Sequence, residues 1–101
     1  MGQQRNREQM PGDIQELRSR AEEYTRQGAV LDLQGQPEQA AGLYLQALRL
    51  HDRLLEMTGD PAFARAAGED CLSLADLSMQ LGNLHGADVY YVRAMGYGPG
   101  R

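Results

Sequence analysis

Apolar and small residues recur along the chain in four blocks with a helical period, separated by short breaks of Gly, Pro, Asn and Asp. In the first block Ile14, Leu17, Ala21, Tyr24, Gly28 and Leu31 follow at spacings of 3, 4, 3, 4 and 3, which puts them on one helical face. Asp13 is the expected N-cap, with Glu16 in the capping-box position. Gln34-Gly35 ends this helix, and Pro37 suits the first turn of the next, where a missing N–H costs nothing. The second block carries Ala40, Leu43, Tyr44, Ala47, Leu48, Leu54 and Leu55 and extends to about Met57. Thr58-Gly59-Asp60-Pro61 combines a C-cap, an N-cap and a first-turn proline. The third block buries Phe63, Ala67, Cys71, Leu74, Ala75 and Leu81; after Gly82-Asn83, the fourth carries Ala87, Tyr90, Tyr91 and Ala94.

No segment alternates like a strand, so the expected class is all-α. Short connections force consecutive helices to be antiparallel neighbours, which predicts two stacked antiparallel helical hairpins, four helices in all. The helical domain is expected over 13–95. Residues 1–12, polar and ending in Pro11-Gly12, and residues 96–101, rich in Gly, are expected as disordered tails.

The chain repeats itself at an offset of 47: Gly35 falls on Gly82, Ala40 on Ala87, Tyr44 on Tyr91 and Ala47 on Ala94. Upstream, the same shift pairs Tyr24 with Cys71, Gly28 with Ala75 and Leu31 with Ser78. Small residues at Gly28, Ala40, Ala47, Ala75, Ala87 and Ala94 permit close helix approach, and Tyr24, Tyr44 and Tyr91 fill the gaps between hairpins.

With Tyr24, Gly28, Leu31, Gly35, Ala40, Tyr44 and Ala47, the first unit resembles a tetratricopeptide repeat (TPR). The second keeps Gly82, Ala87, Tyr91 and Ala94 but has Cys71, Ala75 and Ser78 for the rest; Asp52 stands where the family's closing Pro follows the first unit. The offset of 47 exceeds the family's usual ~34 residues. It resembles the extended repeats of kinesin-light-chain and spindle-orientation adaptors. The resemblance spans about residues 20–95 and implies a TPR-like right-handed superhelix. Residues 39–54 also resemble the middle of a microtubule-interacting-and-transport domain. Both resemblances imply a binding module, in which the first helix of each hairpin lines a concave groove. The groove positions so implied are Glu22, Thr25, Ala29, Asp32 and Leu33, with Glu69, Leu72, Asp76, Met79 and Gln80 from the second unit. Four carboxylates there flank Ala29, Leu33, Leu72 and Met79, which suits a basic, amphipathic helix or peptide. Thr25 and Ala29 replace the family's carboxylate-clamp Lys and Asn, so a bound C-terminal carboxylate is not expected.

Two hairpins make a short stack. Val89, Tyr90, Val92 and Met95 place apolar groups on more than one face of the fourth helix, so a cover is expected, with a homodimer through that helix as one form of it. The alternative to a peptide groove is thus a structural homo-oligomerising bundle. Gly42, Gly68 and Gly86 inside helices each cost about 1 kcal/mol against Ala, so modest stability is expected.

The 101 residues suit one domain. A net charge of −4 argues against nucleic acid as the partner, since phosphate neutralisation needs a basic face. All ten basic residues are Arg, which removes Schiff-base lysines and the P-loop lysine. No window predicts a membrane span, the first residues lack a signal-like apolar stretch, and Asn6 departs from the myristoylation pattern that Gly2 invites. A single cysteine, Cys71, allows no internal disulfide and fits a reducing, cytoplasmic setting. Cys71 sits on an apolar stripe and reads as a buried structural thiol. His51 and His85 lack ligand-pair spacing, and the adjacent pairs Glu22-Glu23 and Glu69-Asp70 diverge on a helix. No metal, no cofactor and no enzyme activity are expected. The expected function is an adaptor, scaffold or chaperone-like protein-binding module.

Overall fold

A computed structural model describes the backbone of residues 2–98 and the side chains from residue 13 to 98. It contains four helices, α1 (Gly2–Leu33), α2 (Pro37–Thr58), α3 (Pro61–Gln80) and α4 (Leu84–Gly96), each packed on the next. There is no strand among the described residues, so the class is all-α and the architecture one of consecutive helical hairpins.

The breaks behave as their residues dictate. Gly59 takes a left-handed φ of 68° after α2 and its N–H donates to the Leu55 carbonyl; Asp60 accepts the Ala62 N–H at 2.9 Å as the cap of α3. The connections within the two hairpins are the same turn, bond for bond. Gly35 and Gly82 both have φ 78°. Gln36 N–H donates to the Leu31 carbonyl at 2.9 Å, and Asn83 N–H to that of Ser78 at 2.8 Å. Ala40 and Ala87 donate back to the Gln36 and Asn83 carbonyls, both at 3.0 Å. Each partner in one turn stands 47 positions from its counterpart in the other.

The core lies between the helices and is built from small residues that let large ones in. Ala21, Ala40, Ala47, Ala67, Cys71 and Ala75 are fully buried, and Leu48, Leu54, Leu74 and Leu77 fill the space they leave. A Cβ at Gly28 would come within 3.0 Å of the Tyr44 ring, so glycine is what allows that ring to lie against α1.

Three expectations are corrected. Residues 2–12, expected as a tail, belong to α1, and Asp13 lies inside the helix rather than at its cap. The straight-chain Gln, Arg and Glu residues that dominate positions 3–9 have good helix propensity, and Pro11-Gly12 does not stop the chain. Tyr97, placed in the C-terminal tail, folds back: its hydroxyl donates to Asp52 Oδ1 at 2.5 Å and accepts from Arg93 Nε at 3.3 Å. Residues 99–101 of that expected tail, and Met1, lie outside the described residues. Leu81 and Tyr91, expected in the core, are exposed: Leu81 caps α3, and no helix among the described residues covers Tyr91.

Candidate functional site

The first helices of the two hairpins, α1 and α3, flank an open groove of about 730 Å³. Arg18, Glu22, Thr25 and Ala29 line it from α1, and Ala62, Phe63, Ala66, Glu69 and Ser73 from α3. Tyr44, His51 and Asp70 also line it, and all three are buried. The alanines keep the walls low, while Phe63 and Tyr44 give the groove an apolar surface.

Three helices meet at Asp70, which is only 2% exposed. Its Oδ1 accepts the Thr25 hydroxyl of α1 at 3.1 Å, and its Oδ2 lies 2.6 Å from His51 Nδ1 of α2. A carboxylate only accepts, so Nδ1 carries the proton in this arrangement. No buried side-chain nitrogen or oxygen among the described residues lacks a partner, as the cost of an orphaned polar group requires. The network differs from a nucleophile relay, in which the hydroxyl bonds the imidazole nitrogen opposite the one held by the carboxylate. Here Thr25 bonds the carboxylate itself, so its oxygen is not activated.

Burial pushes the Cys71 thiol up to about 11, against a smaller opposing pull from Arg93. Such a thiol stays protonated and unreactive at neutral pH. Burial likewise raises the Tyr44 hydroxyl, with the Ser73 hydroxyl acting against it and the Asp32 and Asp70 carboxylates reinforcing it. Tyr97 is pushed up to about 12, by burial first and then by its bond to Asp52. Tyr91 is raised by donating to Asp76, at 3.0 Å. No group of His, Cys, Asp and Glu among the described residues has the arrangement to hold a metal ion.

Of the positions expected to line a groove, Glu22, Thr25, Ala29 and Glu69 do so. Asp32, Leu33, Leu72, Asp76, Met79 and Gln80 do not line it. Leu33 and Gln80 are exposed at the ends of their helices, and Asp32 is half-buried one turn beyond Ala29. Asp76 is engaged by Tyr91, and Leu72 and Met79 are exposed on α3. Among the carboxylates lining the groove, Glu22 pairs with Arg18 at 3.2 Å and Asp60 caps α3. Glu69 has no ion pair within 4.0 Å among the described residues.

Sequence reasoning missed the pairing of His51 with Asp70. The signal was there: His51 continues the stripe Ala40, Tyr44, Ala47, Leu54, and Asp70 continues Phe63, Ala67, Leu74, so both polar groups had to be buried on facing helices. In comparisons with family models, with curated proteins and with solved structures, nothing matches this chain. No helix among the described residues is long and apolar enough to cross a membrane.

Proposed function

We propose that this chain is a TPR-like protein-binding module, an adaptor, scaffold or chaperone-like unit of a reducing, cytoplasmic setting. It holds a basic peptide or amphipathic helix of a partner protein in the α1–α3 groove. The observation that carries this reading is the groove itself, about 730 Å³, apolar along Ala29, Ala62, Phe63 and Ala66 and edged by Glu22 and Glu69, with Arg18, which pairs with Glu22, and Arg26 also in its lining. An apolar strip between carboxylates favours a ligand with an apolar stripe and flanking Arg or Lys. The buried Thr25–Asp70–His51 network supports the reading as well, since it joins α1, α2 and α3 beneath the groove and keeps its walls in place for binding without rearrangement. The absence of an activated nucleophile there favours binding over catalysis.

The test is capture of partners on the immobilised full chain, followed by calorimetry with the captured protein. A double charge reversal, Glu22→Arg with Glu69→Arg, is expected to weaken binding by about tenfold or more while helicity is unchanged. Undiminished affinity in that variant rejects the groove as the binding site.

A further inference from the structure

The two hairpins are alike in backbone but unlike in what they leave uncovered. In the first, Tyr44, Leu45 and Leu48 of α2 pack with Ala67, Cys71 and Leu74 of α3 in one apolar cluster. The residues 47 positions later, Tyr91, Val92 and Met95 of α4, are exposed, Val92 by 60% and Met95 by 64%. On the first helices, Thr25, which reaches α3, corresponds to Leu72, and Asp32 to Met79; both of these apolar residues are exposed. The end face of α3 and α4 thus offers apolar residues at most of the positions on which the second hairpin sits, with Asp88 at that of Ala41 and Ser78 at that of Leu31. The opposite end does not. The buried positions Phe63, Ala67, Asp70, Leu74 and Leu77 of α3 correspond to Glu16, Arg20, Glu23, Gln27 and Val30 of α1, all exposed. Four of the five are polar, and they bond along α1, Arg20 to Glu16 at 3.4 Å and Gln27 to Glu23 at 3.0 Å.

We infer that the α3–α4 end face docks an amphipathic helix of a partner protein, seated as α3 is seated on α2. The inference is independent of the groove. The required chemistry is that of α3 with one change: a stripe of small and apolar groups three or four apart, as in Phe63, Ala67, Cys71 and Leu74, but with an apolar residue at the position of Asp70, because Thr25 and His51, which hold that carboxylate, correspond to Leu72 and Gly98 on the end face. Small residues on that stripe let the helix approach closely, and the exposed Val92, Met95, Leu72 and Met79 supply the surface to be buried. A second copy stacked in the same sense cannot fill this role, because it would present the charged stripe of α1 and bury Glu16, Arg20 and Glu23 against apolar groups.

The probe is a fluorescein-labelled peptide with the sequence of residues 61–80 carrying Asp70→Leu, stapled as a helix through its exposed positions and kept reduced. Titrated with the full chain, it is expected to give a saturable rise in anisotropy. Val92→Glu, and separately Met95→Glu, both at exposed positions, are expected to weaken binding by about tenfold or more with the circular dichroism of the chain unchanged. The Glu22→Arg, Glu69→Arg chain is expected to bind the peptide as the wild type does, which separates this face from the groove. No saturation up to about 1 mM chain, a limit that corresponds to about 4 kcal/mol, overturns the inference, as does binding indifferent to both end-face variants. A concentration-dependent dimer in sedimentation that Val92→Glu abolishes assigns the face to a second copy, and equally overturns it.

Discussion

Replacing His51 by Leu removes one of the two partners of a buried carboxylate, leaving it the Thr25 hydroxyl alone. Asp70 is 2% exposed, and its Oδ2 faces only the His51 Nδ1 at 2.6 Å; Leu fills most of the imidazole volume, which leaves little room for a replacement water. Breaking a buried pair by deleting one member costs about 3–5 kcal/mol, because the surviving charge is stranded. The groove runs beside this cluster and lets some water approach, so the low end of that range, about 3 kcal/mol, is expected. Asp70→Leu alone strands no charge. It leaves the buried His51 Nδ1–H and the Thr25 hydroxyl without their acceptor, and a cost of about 1–3 kcal/mol is expected. The double variant replaces both polar groups by apolar ones on facing helices and is expected to lie within about 1 kcal/mol of the wild type. Urea unfolding followed at 222 nm measures all four proteins, and an unchanged slope with denaturant shows that the same surface is exposed in each. If the two single losses simply add in the double variant, within about 0.5 kcal/mol, the two groups are not coupled and this account of the network is wrong.

Two glycines with the same helical propensity should respond in opposite ways. Gly28→Ala puts a Cβ 3.0 Å from a buried tyrosine ring, and the overpacking of about 1–3 kcal/mol exceeds the ~1 kcal/mol gained in propensity, so a net loss is expected. Gly42→Ala meets nothing within 4 Å on an exposed face of α2 and is expected to gain about 1 kcal/mol; thermal melting of the two variants checks both signs. At alkaline pH the chain should lose stability in a defined window. Cys71 and Tyr97 are raised in the fold from reference values of 9.0 and 10.0 to about 11 and about 12, so the fold favours their neutral forms. Their contribution is complete below about pH 9 and is lost as pH rises through about 11–12, and melting temperatures across that range should fall less steeply in Tyr97→Phe.

Positions on a single helix were legible because helical geometry is local. The stripes, apart from Leu81 and Tyr91, the caps at Gly59 and Asp60, and the turns at Gly35 and Gly82 depend on residues within a few places of one another and stand where the pattern puts them. The start of α1 was not legible in the same way. Pro11 removes a helical N–H and Gly12 has poor helix propensity, so the pair reads as a break, yet the helix continues across it. The groove was legible in part. Glu22, Thr25, Ala29 and Glu69 follow from knowing which helices lead each hairpin, whereas the face that α3 turns to the groove, with Ala62, Ala66, Glu69 and Ser73 rather than Leu72 and Met79, does not appear in any spacing along the chain.

The sequence alone determined four helices, their order, their buried stripes and a translation of 47 residues between two equivalent hairpins. Each of these is set by backbone bonding and side-chain periodicity within one segment or its copy. Only the tertiary structure decided that Thr25, His51 and Asp70 share one carboxylate, that Tyr97 returns to Asp52, and that Tyr44 is covered while Tyr91 is not. Those outcomes hang on which side chains from distant segments come within about 3 Å of one another, and a hydrogen bond or a covered ring exists only when that distance is met. Two similar local patterns can therefore have opposite fates, one becoming core and the other an open face, because α3 packs over the first and no helix among the described residues packs over the second.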